Sequence, residues 1–345
     1  MSSPFDLTQE PWIPNEFVVA LPHLPVVLAE LRKLPQPVDM PKPKESKILD
    51  LALITISNVD DVARRINREL GPGNRRWRRP ASREQEYAID RVIRAIRDSC
   101  RERCGGWIPT IGKNRMLDGV HTTQHVGTGS AAVYPSLATR ADLGDLSADA
   151  EGDRAVVGVV DTALWAHPEL EGRYQPQESD VHLAPADWHW HTAGHATFVG
   201  AAILQGSPNV ELMVRKGLGL DGTARTWDVA EEMVRLARSV DVLNVSFACF
   251  TDDNEEPLVL ARAIEMIGPD KVVVAAAGNF ADCDLGGSRR APTLCNSPMG
   301  PAASSRVIAV GAHDSGGDRA TFSPDVPWVD LTARGVGVGS LYLKG

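Results

Sequence analysis

The sequence predicts an α/β protein: a mainly parallel sheet between layers of helices, preceded by a small α/β unit. Three observations predict it. Beyond residue 155, five short runs (155–160, 210–214, 242–247, 271–277 and 306–312) are apolar at successive rather than alternate positions, as strands buried on both faces are. Stretches with helical composition and spacing, 197–204, 228–239 and 257–267, separate them, and strands alternating with helices make a parallel sheet covered on both sides. Before residue 70 the same alternation occurs on a smaller scale. A chain of 345 residues, 43% of them hydrophobic, has the length and apolar content for one large core or two ordinary ones.

Residues 16–20 read as a strand, 26–33 as a helix, 51–56 as a second strand and 60–70 as a second helix. Pro-rich sequence over 35–43 separates the pairs, and Asn58 or Asp60 is placed to cap the last helix. Gly71, Pro72 and Gly73 end the unit. After the basic run Arg75, Arg76, Trp77, Arg78 and Arg79, residues 82–104 carry Ile89, Val92, Ile93, Ile96 and Cys100 at helical spacing among charges. That pattern is an amphipathic helix with one core-facing stripe. Residues 1–104 are thus expected to form the N-terminal unit and 151–345 the larger domain. Between them, 105–150 is rich in Gly, Thr, Ser and Ala and reads as a linker.

Composition limits the function classes. The net charge of −9 is uneven: 1–150 holds 21 Lys and Arg against 19 Asp and Glu, and 151–345 holds 15 against 26. The arginines around Trp77 could pair with phosphates and stack on a base, yet a short basic run before a helix is usually a solvated loop. Nucleic acid is therefore the weaker partner reading. No 18-residue apolar run is present and the first residues lack the layout of a secretory signal, so no membrane partner and a cytoplasmic location are expected. Cys100, Cys104, Cys249, Cys283 and Cys295 are too few and scattered for a disulfide scaffold and form no CxxC pair. Reduced thiols are expected, with a local Cys283–Cys295 bridge left open for an exported protein.

Chemistry concentrates at the ends of the predicted strands, where α/β sheets place their sites. The first run closes in Asp161, followed by Thr162 and Ala163. A buried carboxylate there needs a partner such as an imidazole N–H, although an isolated aspartate after a strand is commonly a turn former. Gly194, His195 and Ala196 open a helix of small and apolar residues. This sets an imidazole in the first turn, where a ring oriented by a carboxylate can take a proton from a nucleophile. The run 271–277 leads through Ala276, Ala277 and Gly278 to Asn279. Small residues leave room for another backbone to approach, and the asparagine amide is a neutral donor suited to an oxyanion. Asp187, His189, His191 and His195 also lie close in sequence, and His191 and His195 are four residues apart, as in some zinc sites. Against metal, Thr192, Ala193 and Gly194 disfavour one helix through both histidines, and no glutamate follows His191; His189 and His191 are expected in loops near the cleft.

Taken in order, Val159-Val160-Asp161-Thr162, then His195-x-Thr197-x-Val199, then Ala275-Ala276-Ala277-Gly278-Asn279 resemble the subtilisin-like serine proteases, whose triad runs Asp, His, Ser along the chain. Residues 242–247 resemble that family's substrate-lining strand. Residues 306–312, with Ala320, Thr321, Phe322 and Ser323 after them, resemble the segment that follows the oxyanion asparagine. The resemblance covers about 153–345 and implies a subtilisin-like three-layer domain. It implies that Asp161 orients the base, His195 is the base and Asn279 is the side-chain oxyanion donor. Ser246, Phe247, Ala248 and Cys249, with Ala276, Ala277 and Gly278, would flank the substrate pocket. Residues 16–70 resemble the family's propeptide, which covers the active site and assists folding. No cofactor is implied, and no acidic cluster stands out for the calcium that family members often bind.

Two departures accompany the resemblance. The family's nucleophile stands in a Gly-Thr-Ser turn shortly after the stretch that here reads 335–345; no such turn is present, and Ser340 lies ahead of it in a strand or loop. Alanine replaces glycine at Ala163, Ala196 and Ala248, which is tolerable at negative φ and costly at positive φ. The expectation is a serine endopeptidase acting on protein or peptide substrates, with its serine outside this chain. These residues alone would be inactive, their incomplete sheet open to a companion chain that supplies the missing segment. The alternatives are a catalytically inactive peptide-binding or regulatory protein of the same fold and, drawing on Arg75 to Arg79, a nucleic-acid-binding one.

Overall fold

The computed structural model describes residues 12–70, 87–119, 143, 146, 154–175, 180–182, 191–249, 251, 256–279, 281 and 298–343. The chain divides into two compact units: Trp12–Arg115, and Met1–Pro11 together with Met116–Gly345. The basic run Arg75 to Arg79, and Asp187, His189, Cys283 and Cys295, lie outside the described residues.

The unit Trp12–Arg115 is built from β1 (Trp12–Ala20), α1 (Leu24–Leu31), β2 (Lys44–Ser46), β3 (Leu51–Thr55), α2 (Val59–Leu70), α3 (Ala88–Arg103) and the first five residues of β4 (Ile111–Gly119). The strands are antiparallel in the order β4-β1-β3-β2, with Phe17 opposite Ile54 and Val19 opposite Ala52. Alternate side chains of a strand share a face, and Phe17, Val19, Ala52 and Ile54 all enter one apolar cluster with Val27, Leu31, Val62, Ile66 and Ile89. The stripe Ile89, Val92, Ile93, Ile96 and Cys100 is buried along its whole length. Asn58, a candidate cap, instead directs its amide to the Pro-rich stretch: it accepts from the Asp39 amide at 2.9 Å and donates to the Pro37 carbonyl at 3.0 Å. Residues 111–119, inside the stretch read as a linker, form a strand.

The larger unit continues with β5 (Val156–Asp161), β6 (Leu164–Trp165), β7 (Tyr174–Gln175), β8 (Val181–His182), α4 (His195–Gly206), β9 (Glu211–Lys216), β10 (Thr223–Arg225), α5 (Thr226–Ala237), β11 (Val242–Val245), β12 (Phe247–Ala248), α6 (Leu258–Ile267), β13 (Val272–Ala276), β14 (Ile308–His313) and β15 (Leu331–Arg334). Seven of these strands form one sheet in the order β15-β14-β13-β11-β5-β9-β7, and every pairing in it is parallel. β5 sits in its interior and shows why the run is apolar throughout. Val157 and Val159 pack in a cluster with Ala196, Ala201 and Leu204 of α4, while on the opposite face a Cβ at Gly158 would lie 3.0 Å from Leu236 and Val240, at the C-terminal end of α5. Helices thus cover both faces, the three-layer α/β architecture expected. Among the described residues no helix is long and apolar enough to cross a membrane.

The three alanines that stand for glycine are accommodated. Ala163, Ala196 and Ala248 are buried, and among the described residues Asp50 is the one non-glycine residue with positive φ. Each alanine therefore has an ordinary backbone conformation.

Candidate active site

Asp161 is the last residue of β5 and is fully buried. Its carbonyl accepts the amides of Gly217 and Leu218, at 2.8 and 2.9 Å, which fixes the strand end against the chain leaving β9. Its carboxylate accepts the Thr162 amide at 2.6 Å, and both oxygens lie 2.8 Å from His195 Nδ1. An ionised carboxylate only accepts, so this contact places hydrogen on Nδ1 and leaves the Nε2 lone pair of a neutral ring available, the form a general base requires. The His195 side chain retains 16% exposure, so the ring is held from inside and reachable from outside.

Thr162 explains why the imidazole sits there. Its hydroxyl accepts the Ala196 amide at 3.0 Å and donates to the Ala193 carbonyl at 3.3 Å. Amides in the first turn of a helix have no intrahelical acceptor; here Thr162, directly after Asp161, supplies one to the helix that begins with His195. Thr197, one turn face away, accepts the Trp165 amide at 2.9 Å. Small residues then let α4 approach the sheet: a Cβ at Gly200 would sit 3.2 Å from Leu212 Cδ1 on β9. In the sequence Thr162 stands inside a motif with no role of its own; its place directly after a strand-ending aspartate is the available signal.

Asn279 follows β13 by three residues, after Gly278 with φ +97°. Since β13, β11 and β5 are parallel neighbours, it emerges at the same C-terminal edge of the sheet as Asp161. Ala276 ends β13, and the Ala277 amide continues the ladder to the Val310 carbonyl at 2.9 Å. Ser246 separates β11 from β12 and accepts Asn244 Nδ2 at 3.0 Å. Phe247, Ala248 and Cys249 are buried, and Cys249 exchanges backbone hydrogen bonds with Gly300 at 2.8 and 3.2 Å.

The edge of β12 is not empty. Gly119 pairs with Phe247 and Asp118 with Ala248, both antiparallel, while Asp118, Leu117 and Met116 pair with Thr223, Ala224 and Arg225 of β10. The Gly119 amide also donates to the Gly222 carbonyl at 2.8 Å. Residues 116–119 are thus the middle strand of a three-stranded patch, with Leu117 fully buried.

Ser340 does not meet His195 as an acceptor of its proton: its hydroxyl donates to the Phe198 carbonyl of α4 at 2.6 Å. Of the residues in the metal alternative, His195 turns its Nδ1 to Asp161, and the others, apart from the backbone of His191, lie outside the described residues.

No protein-family profile matches the chain. Among curated proteins, it is 30% identical over 195 residues to the thermophilic serine proteinase of Bacillus sp. (strain AK1), covering 53% of this chain and 44% of that protein. It is 28% identical over 197 residues to subtilisin E of Bacillus subtilis (strain 168), covering 55% of this chain and 49% of the relative. Similar solved structures include a lanthipeptide protease (TM-score 0.45, 21% identity, 55% of this chain and 61% of that one) and a cold-adapted subtilisin-like serine proteinase (TM-score 0.41, 22% identity, 58% and 67%). Over about half its length the chain is subtilase-like. It spans about half the length of the curated relatives it matches.

Proposed function

We propose that the larger unit is the base-bearing part of a serine endopeptidase that hydrolyses peptide bonds in protein or peptide substrates. The observation that carries this is the pair of 2.8 Å contacts between the buried Asp161 carboxylate and His195 Nδ1. In the reaction, a serine that these residues do not supply attacks the peptide carbonyl as His195 Nε2 takes its proton. Asp161 stabilises the imidazolium that results, and the Asn279 amide with the serine's own N–H receives the charge on the carbonyl oxygen. His195 then returns the proton to the leaving amine.

Substrate would bind by strand addition along β12, main-chain bonds giving affinity and side-chain pockets selectivity. Ser246, Phe247, Ala248 and Cys249 line one side and Ala276, Ala277 and Gly278 the other. Within the larger unit, residues 116–119 already pair in this manner, which supports strand addition as the binding mode. The test is labelling of the protein from its full natural reading frame with a fluorophosphonate probe. Label that disappears in His195→Ala is expected; a full-length protein that takes no label would instead favour the inactive peptide-binding alternative.

A further inference from the structure

Residues 339–343 lie along α4 and end beside the base. Gln205 Nε2 donates to the Gly339 carbonyl at 3.0 Å, Ser340 Oγ to the Phe198 carbonyl at 2.6 Å, and Leu341 joins the apolar cluster of Ala196, Ala201 and Leu204. At the N-terminal end of the helix the segment reaches Gly194, the cap residue immediately before His195. A Cβ on Gly194 would stand 2.7 and 2.8 Å from Cε2 and Cζ of the Tyr342 ring and 2.9 Å from Leu343 Cγ.

The conformation of Gly194, φ −87° and ψ 2°, is open to any residue. Glycine is needed there for the close approach of the ring, not for backbone freedom. His195 is therefore flanked by two positions held from elsewhere in the chain: the Ala196 amide by the Thr162 hydroxyl, and Gly194 by the Tyr342 ring packed against it. Both belong to the helix start, where backbone donors lack partners of their own.

We propose that Tyr342 is a positioning residue for His195, its ring packed on Gly194 fixing the cap of α4 so that the imidazole stays against Asp161. The inference rests on the reading of His195 as the base. It extends the site to a segment that the triad does not include, and it makes the geometry of the base depend on how residues 339–343 are seated.

The experiment uses the 345-residue chain. Its readout is the far-downfield NMR signal of the His195 Nδ1 proton, identified by its loss in Asp161→Asn. Tyr342→Phe, which keeps the ring, is expected to leave thermal unfolding near that of the unmodified protein and to retain this proton's signal and its exchange rate. Tyr342→Ala, and Gly194→Ala, which pushes the ring aside, are expected to abolish the signal. Ser340→Ala, which loosens the same segment without touching Gly194, should retain it. A signal unchanged in Tyr342→Ala, or lost equally in Ser340→Ala, overturns the proposal; if Tyr342→Ala does not fold, Tyr342→Leu, which keeps apolar bulk but no ring, decides, an upfield move supporting the proposal and an unchanged signal overturning it. Absence of the signal from the unmodified chain overturns the base reading itself, and the role of Tyr342 with it.

Discussion

A carboxylate with no exposed surface is tolerable only where donors replace the water it has lost, and Asp161 has the Thr162 amide and the His195 ring. Thr162 serves both ends of this arrangement. Thr162→Val, close in shape, would leave the Ala196 amide without its acceptor and is expected to cost about 1–2 kcal/mol, read as a lower urea midpoint at unchanged slope. Tyr342 gives a pH signature. Burial pushes its phenol up to about 12, opposed in part by the nearby Gly194 backbone. An unfolded chain loses this proton near pH 10, while the folded one keeps it until about pH 12. The folded state binds more protons across that window, so stability should fall as pH rises through it and be unaffected by this group below. Alkaline urea titrations of the chain and of Tyr342→Phe test this: the variant's stability should decline less between those limits. The places of Asp161 at a strand end and His195 at a helix start were legible from local pattern, whereas Asn279 falls three residues beyond its strand. Thr162 and Tyr342 were not, because what makes them matter is a contact made far along the chain.

At the level of elements, burial decided legibility. β5, β9, β11, β13 and β14 are interior strands, and each appears in the sequence as an apolar run; so does the stripe of α3. The short strands β10, β12 and β15 gave no such signal, since β15 is exposed throughout and β10 and β12 are defined by what they pair with. β1 extends to Trp12, beyond the apolar run at 16–20, because its outer part is held by pairing with Arg115. The packing of β5 on α5 depends on the absence of a side chain: Gly158→Ala would press a methyl group to within 3.0 Å of Leu236 and Val240. Overpacking of this kind is expected to destabilise by about 1–3 kcal/mol, measured by chemical denaturation of the variant. Equal stability would mean that α5 shifts without penalty.

For the molecule as a whole, the sequence showed two α/β units and the direction of the sheet in the larger one, but not where one unit ends. A Gly-, Ser- and Thr-rich stretch suggests a linker on composition, whereas strand pairing by 111–119 depends on partners that composition does not reveal. The unit Trp12–Arg115 has its own apolar cluster of sheet and helix residues, the property that lets a domain fold alone. Residues 12–115 expressed separately should therefore unfold in one cooperative urea transition; a broad, non-cooperative loss of circular dichroism would show that the cluster is insufficient. The strand at 116–119 carries a different consequence. Because it is part of the chain, it is presented to β10 and β12 intramolecularly, and diluting the protein does not relieve it. Any other peptide must compete against that standing local supply. Cutting the backbone beside the strand would turn the same four residues into an ordinary ligand, one that dilution can wash away.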